Sequence, residues 1–241
     1  MPVSKGNVLL TDMKNEIQNT RFGGFTPKAL DFFRRLDKNN SREWFTEHKK
    51  EYVQYVAEPF KQLAVELAPM MQELDPLVFT DPRRTVARIY RDTRFSHNKT
   101  PYRPNLWIAF KRNSECWTET PVFFFELTAT QYMVGMGMYQ ANAATMRNFR
   151  QQIDNAPQYF WETIKPICRD KAMQLEAEQY KRLLPCEHRK EIIPWYQSKT
   201  FAVIGTYEPN KTLYNAKLTG FIMDKFVFLK PLYDFLWRAI N

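Results

Sequence analysis

Apolar residues first recur at helical spacing. Ala29, Phe33 and Leu36 share one face, with Leu30 and Phe32 beside it. Thr26-Pro27 supplies an N-cap followed by proline at the first helical position, and Asn39-Asn40 ends the run. Ser41 caps a second run, whose apolar positions include Trp44, Phe45, Tyr52, Tyr55, Val56, Phe60, Leu63, Leu67 and Met70. Pro59 must kink this second helix or begin a new one, because it has no N–H to donate. The pattern therefore predicts helices over 26–74.

From Asp75-Pro76 the spacing becomes that of strands. Residues 86–90, 106–110, 122–127, 132–139 and 201–206 are rich in aromatic or β-branched side chains. Short connections between the middle segments predict antiparallel pairing. Helical spacing returns at 143–153, 157–184 and 216–240, with Pro231 dividing the last of these. Residues 185–198 read as a long surface loop. Helices, then strands, then helices predict an α+β fold: a predominantly antiparallel sheet of about five strands packed with N-terminal and C-terminal helices. Residues 1–21 read as a polar leader and 22–241 as a single domain.

Composition narrows the function classes. Seven glycines in 241 residues leave little room for a Gly-rich nucleotide loop, and neither dinucleotide nor P-loop fingerprint occurs. Three scattered cysteines fit a reducing cytoplasm better than a disulfide framework. The first residues lack the apolar stretch of a signal peptide, and no run is long enough to span a membrane. Three dispersed histidines and three dispersed cysteines give no metal spacing, and no nucleophile motif is present. No cofactor or metal is expected.

Charge changes the picture most. Residues 83–112 hold nine Lys or Arg and one acid, Asp92, for a formal +8, while the whole chain carries +9. Guanidinium forks hold phosphate and carboxylate bidentately, so the excess marks a place rather than a general property. Alternation constrains it. In a straight strand Arg88 and Arg94 share a face but stand roughly 20 Å apart. They meet one ligand only if the chain turns after Asp92, and residues 94–102 are composed like a loop. Arg91, Arg94 and Lys99 would then converge.

Asn39-Asn40-Ser41-Arg42-Glu43-Trp44-Phe45 and the run from Arg88 through Tyr90-Arg91-Asp92, Arg94-Phe95-Ser96 and Lys99 to Pro101-Tyr102 carry a resemblance. They resemble a widespread family of bacteria and fungi, known as a conserved-hypothetical domain of unknown function. Phe22–Phe25, the Gly135–Tyr139 stretch and the segment from Pro231 are similar to it too, so the resemblance spans 22–240. Residues 180–200 depart from its pattern: a Gly- and Pro-containing stretch is expected there, and this chain has Leu-Leu-Pro-Cys-Glu-His-Arg-Lys. The resemblance implies which residues matter and carries no reaction with it.

Three functions compete. The leading one is recognition of a phosphate-bearing ligand, a nucleotide or nucleic acid, by Arg88, Arg91, Arg94 and Lys99, with Tyr102 as a polar aromatic wall and interleaved aromatics for stacking. The second is an enzyme on a phosphate- or carboxylate-bearing substrate, with Asp92 or Glu126 as acid or base. The third is an interaction protein whose arginines pair with internal or partner acids. Asp92 is either a clamp on a neighbouring arginine or a functional acid. Glu126 either faces solvent by alternation or needs the arginines as partners. Asn39, Asn40 and Ser41 suffice as helix caps, and Arg42 would add a fifth cation if the junction lies near the basic segment. His97 reads as a solvated loop residue. Gly135-x-Gly137 marks a close backbone approach or bulge, or else a path for a ligand.

Overall fold

The computed structural model describes residues 21–94, 98–114 and 116–240. The predicted leader, apart from Arg21, and His97 lie outside the described residues. Helix α1 (Pro27–Lys38) starts at its proline and buries Ala29, Leu30, Phe32, Phe33 and Leu36. Asn39 ends it, donating from both its backbone N–H and its side-chain amide to the Arg35 carbonyl. Ser41 then caps α2 (Arg42–Tyr52), its Oγ accepting from the Trp44 N–H at 3.2 Å; such a cap is worth about 1 kcal/mol.

Pro59 has the consequence its chemistry requires. A wide π-helical turn, Val53–Ala57, precedes α3 (Glu58–Leu74), in which Pro59 sits in the first turn. The missing N–H and the bulk of the ring are accommodated there instead of breaking the chain direction. Pro231 behaves differently from expectation. After α4 (Pro82–Thr85), α5 (Ala143–Asn155), α6 (Pro157–Arg169) and α7 (Ile193–Tyr196), helix α8 (Lys217–Ile240) runs through it unbroken. Pro231 is on the exposed side of the helix, as is Val227 one turn earlier, so water reaches the carbonyl left without a donor.

Five strands form one antiparallel sheet in the order β1-β2-β3-β5-β4. They are β1 (Asn105–Phe110), β2 (Val122–Thr128), β3 (Tyr132–Gly137), β4 (Met173–Gln179) and β5 (Ser198–Tyr207). The fold is α+β, as the sequence predicts. Three element assignments are corrected. In the surface loop expected at 185–198, Ile193–Tyr196 is helical, Trp195 is buried and Ser198 opens β5. Residues 86–90 make only isolated bridges, Val86 with Ile108 and Tyr90 with Tyr102, rather than a strand of the sheet. The helix expected over 157–184 ends at Arg169, and β4 follows. Asp170 makes the break, its Oδ1 accepting from the N–H groups of Ala172 at 2.7 Å and Met173 at 3.2 Å.

The helices pack on one face of the sheet. Phe123 meets Phe226 and Tyr233 of α8, Phe125 meets Phe60 of α3, and Phe201 meets Phe149 of α5 (Ala143–Asn155). All three sheet residues project the same way by register. The other face carries half-buried Trp107, Phe124, Glu126, Met133 and Ile204. Among the described residues no helix is long and apolar enough to cross a membrane.

Gly135 is explained within the sheet. A Cβ there would sit 2.5 Å from the Val203 carbonyl oxygen and 2.8 Å from the ring of Phe124, its cross-strand neighbour. The close approach is by Phe124 and the backbone of β5. Gly135→Ala is therefore expected to cost about 1–3 kcal/mol through overpacking, read as a lower denaturant midpoint.

Candidate functional site

The chain does turn after Asp92. Arg91 N–H donates to the Pro101 carbonyl and Arg103 N–H to the Ile89 carbonyl, both at 2.8 Å, so the outgoing and returning arms lie side by side. Arg103 fixes the outgoing arm further, with Nη1 donating to the Tyr90 carbonyl at 2.6 Å. This strap runs beside the edge of β1, where Ala87 N–H reaches the Trp107 carbonyl at 2.9 Å.

The two sequence motifs meet here. Asn40 grips the backbone of Tyr102 with both side-chain atoms: Nδ2 donates to its carbonyl and Oδ1 accepts from its N–H, each at 3.0 Å. Phe45 stacks on the Tyr102 ring at 4.1 Å between centroids. Asn40 thus does more than follow a helix end. It holds the start of α2 against the strap, and Arg42, the first residue of α2, comes with it.

A cavity of about 490 Å³ opens at this junction, lined by Arg42, Thr46, Tyr90, Arg91, Thr93, Lys99, Pro101 and Tyr102. Its charged residues are Arg42, Arg91 and Lys99, and among the described residues no acid lines it. The positive end of the α2 dipole adds to the same field. Arg91 Nε is buried and has no hydrogen-bond partner among the described residues. Among the described residues its guanidinium makes one hydrogen bond, a long one of 3.5 Å to the Tyr102 carbonyl. Lys99 Nζ donates to the Thr93 carbonyl at 2.8 Å, which closes the turn and leaves ammonium donors over. Burial and the adjacent Arg91 charge pull Arg103 below its ordinary value, as expected where cations crowd.

Not every predicted site residue gathers here. Arg91, Lys99 and Tyr102 do. Arg88 does not: it lines a neighbouring cavity of about 380 Å³ with Tyr52, Lys61, Arg83 and the apolar Val86, Ala87 and Leu106. Alternation is the reason, since Arg88 and Arg91 project to opposite sides of the strap. Arg94 is held by Asp92 through two hydrogen bonds, 3.0 Å from Nε to Oδ1 and 2.8 Å from Nη2 to Oδ2.

The basic segment therefore divides. Arg83, Arg94 and Arg112 pair with Asp81, Asp92 and Asp75. Arg84 lies over the Phe79 ring and Lys111 over the Trp117 ring. Arg103 serves backbone carbonyls. Arg88, Arg91 and Lys99 make no ion pair among the described residues, nor does Arg42 from outside the segment. Arg42 was legible only through its motif. Arg103 had no sequence signal beyond its charge, because its partners are carbonyls supplied by the turn.

Hydrogen bonds from the Arg94 side chain and backbone lower the exposed Asp92 carboxyl to about 2, which makes it a weak base near neutral pH. Glu126 lies on the open face of β2, accepts a hydrogen bond from Asn105 and is raised by burial. It borders neither cavity. Among the described residues no cluster of three His, Cys, Asp or Glu is arranged to hold a metal.

Helices on one face of an antiparallel sheet, with a cavity lined by Arg42, Arg91 and Lys99 between a helix N-terminus and a strap at the sheet edge, define an α+β protein with an electropositive cleft. Residues 28–235 match the family described as Conserved hypothetical protein (DUF2461), and the chain belongs to that family. No curated protein matches the chain.

Proposed function

We propose that the cavity bounded by Arg42, Arg91 and Lys99 binds the phosphate group of a nucleotide or nucleic acid. The observation that supports this most is Arg91. A buried cationic N–H without a partner is costly, about 1–3 kcal/mol, and this one belongs to a cavity whose charged residues are all cationic. A tetrahedral anion supplies acceptors in several directions at once and neutralises the crowded charge. Tyr102 forms a wall of the cavity, and Thr46 and Thr93 complete its polar lining. The three cysteines are free thiols, two of them exposed, which suits a cytoplasmic protein.

Titration with inorganic phosphate and pyrophosphate, followed by backbone amide chemical shifts, tests the reading. Shifts are expected at residues 42, 46, 91, 99 and 102, with affinity falling as salt rises. If a polymer is bound with about four phosphates neutralised, log affinity should fall against log salt with a slope near −3 to −4. Saturating pyrophosphate that leaves all five amides unmoved would remove the cavity from consideration.

A further inference from the structure

The second cavity shares a wall with the first. Tyr90 lines both, and at 57% exposed its ring is open to solvent between them. The two cavities differ in chemistry. The first is rimmed by cations that make no ion pair among the described residues. The second is lined mainly by apolar and aromatic residues, Val86, Ala87, Ile89, Leu106, Tyr52 and Tyr90, together with Arg88. Its other cations are already paired, Lys61 with Glu58 and Arg83 with Asp81. A second phosphate would find mostly carbon there, whereas a flat ring would find surfaces suited to stacking.

We infer that the second cavity receives the base of the same nucleotide unit whose phosphate lies among Arg42, Arg91 and Lys99, with Tyr90 as the partition between the two. The inference rests on the phosphate reading above and adds the class of ligand: a phosphate joined to a planar heteroaromatic ring. An alkyl chain would satisfy the aliphatic wall but would leave the polar groups idle. Tyr52 makes no hydrogen bond from its hydroxyl among the described residues, and Arg88 makes no ion pair. Burial and the neighbouring Tyr90 push the Tyr52 hydroxyl up to about 12, so it stays protonated and able both to donate and to accept at the edge of a base. The π-helical turn before Pro59 brings Ala57 to the same wall, a small residue where a ring must pass.

The test compares dissociation constants of the full chain for ribose 5-phosphate, adenosine and uridine monophosphates, and octyl phosphate, by calorimetry. The monophosphates should bind about tenfold or more tightly than ribose 5-phosphate, the gain expected from one stacked base. Ala87→Phe fills the second cavity and should reduce that ratio to near one without changing the constant for ribose 5-phosphate. Tyr90→Leu, at an exposed position, should lower the ratio as well, and covers the case in which the phenylalanine variant fails to fold. A short single-stranded oligonucleotide separates the sources of the ligand. Much tighter binding with a steep salt slope indicates a strand, and affinity matching the monophosphates indicates a free nucleotide; either result supports the inference. It is overturned if the monophosphates equal ribose 5-phosphate while phosphate binding still depends on Arg91, which leaves the phosphate reading intact. It is also overturned if octyl phosphate gains as much as the nucleotides. Absence of any anion binding overturns both readings.

Discussion

Arg112→Ala is expected to lower the unfolding free energy by about 3 kcal/mol or more, the range for removing one partner of a buried ion pair. Asp75 is 3% exposed and ends α3. Its Oδ2 accepts from Arg112 Nε at 2.7 Å and from the Tyr233 hydroxyl, and its Oδ1 accepts from the Leu77 N–H at 3.0 Å. The Arg112 guanidinium also lies 4.2 Å from the Trp237 ring. The pair ties the end of α3, the end of β1 and the last turns of α8. Without Arg112 the carboxylate remains buried with two neutral donors. Urea unfolding at pH 7 measures the loss, and Asp75→Asn should blunt it in a double-mutant cycle. A cost below about 1 kcal/mol would falsify the assignment.

The same network sets two pH limits. Burial opposes the charge on Asp75, but the hydrogen bonds from Arg112, Tyr233 and Leu77 outweigh it and hold the carboxyl below its ordinary value. Its contribution is present above the unfolded value of about 4 and is lost as pH falls through the folded one. Tyr233 goes the other way: burial, then the bond to Asp75, push its hydroxyl up. That contribution is present below about pH 10 and is lost at higher pH, where the unfolded chain ionises first. Wild type should therefore lose stability between pH 9 and 11 relative to Tyr233→Phe, about where free tyrosine titrates.

Arg91→Ala is expected to weaken phosphate binding about 10–100-fold, the value of a charge-assisted hydrogen bond of 1.5–3 kcal/mol. Folding should change little, because the bond from Arg91 to the Pro101 carbonyl is made by the backbone. Arg91→Lys should recover part of the affinity, since charge returns without the planar fork. Arg94→Ala is the control. Its guanidinium is exposed and already held by Asp92, so its removal should leave affinity within about threefold. Equal losses at Arg91 and Arg94 would indicate a diffuse basic surface in place of a cavity.

Local chemistry determined much of this protein in advance. Helical spacing, Pro27 and Ser41 defined the opening helices, and aromatic and β-branched runs defined four of the five strands. These are short-range effects of sterics and capping, so they can be read along the chain. The concentration of charge at 83–112 was equally legible. Strand β4 was not, because Met-Gln-Leu-Glu-Ala-Glu-Gln favours a helix and becomes a strand only by pairing with β5. Which arginines share a cavity was also beyond the sequence. Composition counted Arg88, Arg91, Arg94 and Arg112 alike, and only the turn after Asp92, the Asn40 grip on Tyr102 and the buried Asp75 separated them. Charge is a property of a residue, whereas an ion pair or a cavity is a relation between residues distant in the chain, and that relation exists only once the backbone has closed.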